Sequence, residues 1–125
     1  AMNMKLTDLD PRWVGAGGEG VYQRNSAGEY EPAPERHGVG VSFLCPCADC
    51  AAQRTGDRDS DFHLRVFVGF RNPIDGGPPH DPRPGAQWER SGDTFETLTL
   101  SPSILRTPPH GCGWHGWVRN GEVIT

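Results

Sequence analysis

Cysteine and histidine are concentrated in two short segments, and no other feature of the sequence restricts the fold as strongly. The first segment is Cys45-Pro46-Cys47-Ala48-Asp49-Cys50, and the second contains His110, Cys112 and His115. Closely spaced thiolates and imidazoles are typical ligands of zinc and of iron–sulfur clusters. One metal bound by both segments would join parts of the chain that lie more than half its length apart. The sequence therefore predicts a fold in which the two segments meet.

Spacing selects some of the ligands and leaves others open. Cys112 and His115 form a Cys-x-x-His pair on a glycine-rich turn, which places a thiolate and an imidazole side by side. The first segment offers either Cys45 with Cys47 or Cys47 with Cys50, and spacing alone does not choose between these pairs. His110 is close enough to substitute for a ligand and is a weaker alternative.

The pattern of apolar residues predicts β-structure. Strand-like stretches, by alternation or by β-favouring composition, lie near residues 38–44, 62–70, 94–100 and 116–124. Asn120-Gly121 in the last stretch is a strong hairpin signal, and no window has a helical period. We therefore predict a small, loop-rich all-β domain of antiparallel sheet over residues 38–125, with the metal site at one end and little helix. Residues 1–37, rich in Gly, Glu and Pro, are expected to form a partly irregular N-terminal arm.

Composition and charge restrict function and location. Hydrophobic residues make up only 34% of the chain, so the core is lean and a bound metal would stabilise it. The formal charge of -4 argues against non-specific binding to nucleic acid or to anionic membranes. No run is long enough to span a membrane, and the first residues have no apolar signal-peptide core. We expect a cytoplasmic protein, where a reducing environment favours metal ligands over disulfides.

Several motifs resemble a small phage and prophage metal-chelating family of unknown function, whose members are sometimes labelled "ammonia monooxygenase". The matching motifs are Ser42-Phe43-Leu44-Cys45-Pro46-Cys47, Asn72-Pro73-Ile74-Asp75-Gly76-Gly77, FETLTLSPSI at 95–104 and Cys112-Gly113-Trp114-His115-Gly116-Trp117. The family's first motif usually reads Cys-Pro-Cys-Gly-Cys, so the third cysteine is displaced here. The resemblance thus favours Cys45 and Cys47 over Cys50. Relatives lie beside bacterial ubiquitin-like conjugation genes, which implies a protein partner.

Together these features predict a zinc site formed by Cys45, Cys47, Cys112 and His115. The predicted function is a phage or prophage accessory protein that acts as a non-enzymatic interaction module, in the host cytoplasm if phage-encoded. The first alternative is a [2Fe–2S] electron-transfer protein, of the three-Cys-one-His type or Rieske-like, because Cys112 to Gly116 has the Cys-x-x-His-Gly form of half a Rieske motif. The second alternative is a metal-dependent enzyme. Four protein ligands argue against it, since a catalytic zinc keeps one position open, and Ser101-Pro102-Ser103 has no motif partner for nucleophilic catalysis.

Overall fold

The computed structural model describes residues 3–14, 22–24, 27–32, 37–57, 59–79, 87–108 and 111–125. Within these ranges the strands are β1 Asn3–Lys5, β2 Arg12–Val14, β3 Tyr22–Arg24, β4 Tyr30–Pro32, β5 Gly40–Leu44, β6 Arg65–Gly69, β7 Glu89–Ser91, β8 Thr99–Ser101, β9 Ile104–Leu105, β10 His115–Arg119 and β11 Glu122–Ile124. The helical elements are α1 at Ala48–Gln53 and two short 3-10 turns, at Leu6–Leu9 and Phe62–Leu64. The all-β prediction is confirmed. No helix in the described ranges is long and apolar enough to cross a membrane.

The larger sheet has four antiparallel strands in the order β1-β11-β10-β9. Asn120 and Gly121 join β10 to β11, with φ of 48° and 77° respectively. A two-residue turn with both φ values positive matches the right-handed twist of the strands, so the predicted hairpin is confirmed. A side chain at Gly121 would also collide with the backbone of Glu96. This hairpin fixes the register of β10, the strand that begins at His115.

The second sheet has three antiparallel strands in the order β2-β5-β6. Residues of its central strand, β5, are almost completely buried up to Phe43. The strand ends at Leu44, so Cys45 leaves the sheet at the edge of the core. Two further antiparallel pairs, β3 with β4 and β7 with β8, complete the described sheet structure.

The core lies between the inner faces of these sheets and includes part of the N-terminal segment. Leu6 and Leu9 are fully buried, and β1 and β2 each pair with a strand of the region after residue 38. The buried hydrophobic residues are Leu6, Leu9, Val39, Val41, Phe43, Cys45, Cys50, Leu64, Val66, Val68, Phe70, Leu98, Leu100, Ile104, Trp114, Val118 and Val123. Residues 3–14 thus contribute to both sheets, and the division into an arm and a domain stays a prediction.

Two predicted strand boundaries differ from the structure. In the stretch 94–100, residues up to Thr97 form a turn, and β8 begins only at Thr99. The Thr94 hydroxyl is 2.7 Å from the Thr97 hydroxyl, and the Thr97 amide donates to the Thr94 carbonyl. Threonine side chains stabilise such turns as readily as they favour strands, so composition alone was misleading here. In the stretch 62–70, the first three residues form a 3-10 turn and the strand begins at Arg65.

Candidate functional site

The first cysteine segment places its three thiols by a strand end and a helix start. Cys45 follows β5 and is fully buried. Cys47 is the N-cap of α1, and its Sγ accepts a hydrogen bond from the Cys50 amide at 3.3 Å. An N-cap side chain normally satisfies an amide of the first helical turn in this way. Because Cys50 lies in that first turn, its thiol is held on the same side as the thiol of Cys47.

The second segment is tied to the strand pair β9–β10. The Arg106 amide donates to the Trp114 carbonyl at 2.8 Å, and the Gly113 amide donates to the Arg106 carbonyl at 2.7 Å. Gly113 has a φ of 83°, in the left-handed region that glycine adopts without strain. Cys112 precedes this turn and is exposed. The turn directs its thiol toward the first segment.

The four cysteines form one compact group. The Sγ atoms of Cys45, Cys47, Cys50 and Cys112 all lie within 4.8 Å of one another. Sγ of Cys112 is 3.6 Å from Sγ of Cys45 and 3.6 Å from Sγ of Cys47. A tetrahedral zinc site with bonds of about 2.3 Å has sulfur–sulfur edges of about 3.8 Å. The group therefore has the dimensions needed to bind one metal ion, and all four cysteines are free of disulfides.

Two arginines lie against this group. Nη1 of Arg106 donates to Sγ of Cys50 at 3.4 Å and to Sγ of Cys112 at 3.6 Å, while Nη2 donates to the His63 carbonyl at 3.0 Å. Arg54 donates to the Cys45 carbonyl at 2.8 Å. Four thiolates around a divalent cation carry a net charge of minus two. Two guanidinium groups therefore provide the matching positive charge beside the site.

The pKa values of the thiols differ because their surroundings differ. Burial raises the pKa of Cys45 and of Cys50. Burial also acts to raise the pKa of Cys112, but hydrogen bonds from the Trp114 amide and from the neighbouring thiols outweigh it and lower this pKa to about 7. The thiol of Cys112 in the exposed second segment therefore ionises more easily than the buried thiols of Cys45 and Cys50. Metal binding requires deprotonated thiols, and a bound cation promotes their ionisation.

The predicted ligands do not all meet at this group. Cys45, Cys47 and Cys112 lie in it, together with Cys50, the alternative ligand of the first segment. His115 lies outside it, at the start of β10, where Nε2 is 2.8 Å from Oγ of Ser103. His110 falls outside the described residues.

Ser103 and His115 form a second candidate site. Ser103 is half-buried and immediately precedes β9, whereas His115 is exposed on β10, so the pairing of these two strands brings them together. Nε1 of Trp88 donates to the Ser103 carbonyl at 3.2 Å. The ring of Trp117 lies 4.9 Å from the ring of His115, measured between centroids. A histidine nitrogen within hydrogen-bond distance of a serine hydroxyl is the geometry of an activated nucleophile.

Sequence reasoning missed this pair. No motif partner accompanies the Ser101-Pro102-Ser103 stretch in the sequence, and the spacing of His115 from Cys112 favours a metal ligand. The antiparallel register of β9 and β10 supplies the partner, with His115 opposite Leu105. The two-residue alternation of β10 predicts only that His115 and Trp117 share one face of the strand. It gives no sign of Ser103, which lies in a separate segment of the chain.

A comparison with protein families relates part of the chain to a known family. A family model described as BubE, bacterial ubiquitination-like system serine protease, matches residues 76–125. The matched stretch contains Ser103, Cys112 and His115 but begins after the first cysteine segment. This finding agrees with the expected connection to ubiquitin-like conjugation genes. No curated protein and no solved structure matches the chain significantly.

Proposed function

We propose that this protein is a serine hydrolase of a bacterial ubiquitination-like system, built on a β domain that a four-cysteine zinc site stabilises. Ser103 is the nucleophile and His115 is its general base. The observation that carries the proposal is the distance of 2.8 Å between Ser103 Oγ and His115 Nε2. The words "serine protease" in the description of the family that matches residues 76–125 support it independently.

The reaction follows from the orientation of the imidazole. With the proton on Nδ1, Nε2 accepts the Ser103 proton as Oγ attacks a substrate carbonyl and forms a tetrahedral intermediate. The intermediate then collapses, and His115 passes the proton to the departing amine or alcohol while Ser103 keeps the acyl group. Water next attacks this ester with His115 again acting as base, which releases the acid and restores the serine hydroxyl. The substrate class is therefore an acyl compound, an amide or an ester of a polypeptide.

The four thiols fit zinc in a structural role. A shell of four protein ligands leaves no open position for a catalytic water, which supports a structural metal. The compact grouping also supports one ion over a [2Fe–2S] cluster, because a two-iron cluster separates its two ligand pairs across the iron–sulfur core. When bound, the ion would join the end of β5 to the turn before β10. It would thus hold the strand that carries His115 without taking part in the reaction.

We further propose that Cys50 replaces His115 as the fourth ligand. Cys50 is buried among the other sulfurs, whereas His115 makes its hydrogen bond to Ser103. A cytoplasmic location suits four reduced cysteines. Phage or prophage origin rests on the sequence resemblance. The protein partner would be the substrate or a component of the conjugation system.

The non-enzymatic interaction module that the sequence predicts is the second candidate. The closed four-sulfur shell favours it, because a structural zinc alone suffices to fold a small binding domain. It differs from the hydrolase proposal in a single respect, since it gives the Ser103–His115 pair no chemical role. An experiment on the reactivity of Ser103 therefore separates the two candidates.

A fluorophosphonate probe tests the proposal, because it forms a covalent bond with activated serines. We expect the wild-type protein to gain one probe mass located on Ser103 by peptide mass spectrometry, with loss of labelling in Ser103→Ala and His115→Ala. Ser101→Ala is the matched control, since Ser101 is an exposed serine two positions away on β8. Labelling of Ser103 that persists in His115→Ala, or no labelling of the folded wild type, would leave the interaction module as the function.

A further inference from the structure

The face of the four-stranded sheet that carries His115 is exposed to solvent. Along β10, His115 and Arg119 are exposed and Trp117 is half-buried, whereas Gly116 and Val118 point into the core. Successive residues of a strand point to opposite faces, so His115, Trp117 and Arg119 share the outer face. The Ser103–His115 pair therefore opens onto a sheet surface and not into a deep cleft.

Large apolar side chains surround His115 on this face. Leu105 is directly opposite His115 in the register of β9 and β10, and 54% of its surface is exposed. Trp117 follows His115 on the same face with its ring 4.9 Å away, and Ile124 is opposite Trp117 on β11. The imidazole is thus bracketed by apolar groups on two sides.

Charged residues mark the end of this apolar surface. Arg119 is opposite Glu122 on β11, and Glu122 is opposite Lys5 on β1, so the next row across the sheet is charged. The guanidinium of Arg119 lies 5.8 Å from the ring centroid of Trp117. The outer face thus has a reactive pair, an apolar region beside it and a charged row beyond.

We propose that this apolar region, formed by Leu105, Trp117 and Ile124, is the substrate subsite that accepts an aliphatic side chain adjacent to the scissile acyl group. The proposal rests on the hydrolase function proposed above. Its occupant is an extended polypeptide, because an acyl group within reach of Ser103 Oγ must bring its neighbouring residue across the same face. An aliphatic side chain there removes its own apolar surface and that of Leu105 and Trp117 from water.

The same surface discriminates against acidic residues. A carboxylate at this position would lose water contacts to apolar groups without gaining a partner, which is unfavourable. Residues further along the substrate would reach the row that contains Arg119 and Lys5. The subsite thus predicts a preference for leucine-like over aspartate-like residues at the acyl group, set by Leu105 and Trp117.

A pair of matched substrates tests the subsite: p-nitrophenyl esters of N-acetyl-leucine and of N-acetyl-aspartate. We expect the wild type to cleave the leucine ester with a kcat/KM at least about 10-fold higher. Leu105→Lys and Trp117→Ala should each lower kcat/KM for the leucine ester several-fold, mainly through KM, and Leu105→Lys should also reduce the preference over the aspartate ester. Phe67→Lys is the matched control, because Phe67 is an exposed apolar residue on β6 of the other sheet, with 45% of its surface accessible.

Fluorophosphonate labelling of Ser103 in every variant distinguishes failure of the subsite from failure of the function. Normal labelling together with no ester preference in the wild type, or with unchanged preference in Leu105→Lys, would overturn the subsite and leave the hydrolase standing. Absence of Ser103 labelling in the folded wild type would overturn both. A loss of preference in the Phe67→Lys control equal to that in Leu105→Lys would also overturn the subsite.

Discussion

Replacing Cys50 by Ala is expected to remove the metal, whereas replacing His115 by Ala is expected to leave it bound. The Cys50 thiol is one of four sulfur atoms within 4.8 Å of one another, and the His115 imidazole is hydrogen bonded to Ser103. If the four cysteines are the ligands, only the Cys50 substitution removes the metal. If His115 is the fourth ligand in place of Cys50, only the His115 substitution removes it.

The size of the effect follows from the chain that the metal closes into a loop. Cys45 and Cys112 are 67 residues apart. A covalent cross-link over such a loop removes unfolded-chain entropy worth roughly 4 kcal/mol, and a metal held by both segments restricts the chain similarly. For a domain of this size, 1 kcal/mol corresponds to about 4 °C, so loss of the metal should lower Tm by roughly 15 °C. His115→Ala removes one hydrogen bond of an exposed side chain and should change stability by about 1 kcal/mol or less.

Elemental analysis and thermal unfolding by circular dichroism measure both quantities in the same samples. We expect about one zinc per chain in the wild type and in His115→Ala, and little zinc with a lowered Tm in Cys50→Ala and in chelator-treated wild type. Full zinc content and wild-type Tm in Cys50→Ala, with loss of both in His115→Ala, would show that histidine is the fourth ligand. An untreated wild type that contains no metal, and whose Tm a chelator does not change, would refute the metal site itself.

Three further predictions concern single side chains. Arg106→Gln should release zinc to a chromogenic chelator several-fold faster than wild type, because the guanidinium donates to two of the sulfurs; Arg119→Gln, which changes an exposed arginine at the end of β10, should not. A hydrogen bond from a backbone amide of the preceding loop lowers the pKa of Asp61 in the folded protein. The ionised carboxylate therefore stabilises the fold at pH values above the pKa of Asp61 in the unfolded chain. This stabilisation is lost as the pH falls through the lower pKa of the folded protein. The Tm difference between wild type and Asp61→Asn should therefore be constant near neutral pH and shrink below roughly pH 4; a difference that grows in acid would contradict the assignment. Trp88→Phe should slow fluorophosphonate labelling of Ser103 with only a modest change in Tm, because an aromatic side chain remains while the indole N–H that donates to the Ser103 carbonyl is lost; an unchanged labelling rate would show that this bond does not position the nucleophile.

Local sequence features predicted much of the fold. Alternation in the segments around β6 and β10 follows from burial of one face, and the Asn120-Gly121 turn specifies its hairpin through backbone conformation. The strand β5 is buried on both faces, which its alternation of apolar residues with glycine and serine did not indicate. The prediction was less accurate near Thr94, where side-chain hydrogen bonds stabilise a turn in a stretch whose composition favours a strand. The short helix α1 begins at a cysteine N-cap, and cysteine is not a residue type from which a helix start is usually inferred.

The sequence by itself determined that the two cysteine segments could share a metal, since their residue types and spacings limit the chemistry available. Only the tertiary structure decided which side chains meet. Cys50 joins the other thiols because α1 turns it toward Cys47, a geometry that the spacing permits but does not require. His115 meets Ser103 because β9 and β10 pair in one particular register, and a shift by a single residue would turn His115 toward the core. Contacts between strands depend on that register, which the packing of the whole sheet sets, so the Ser103–His115 pair was not visible in either segment alone.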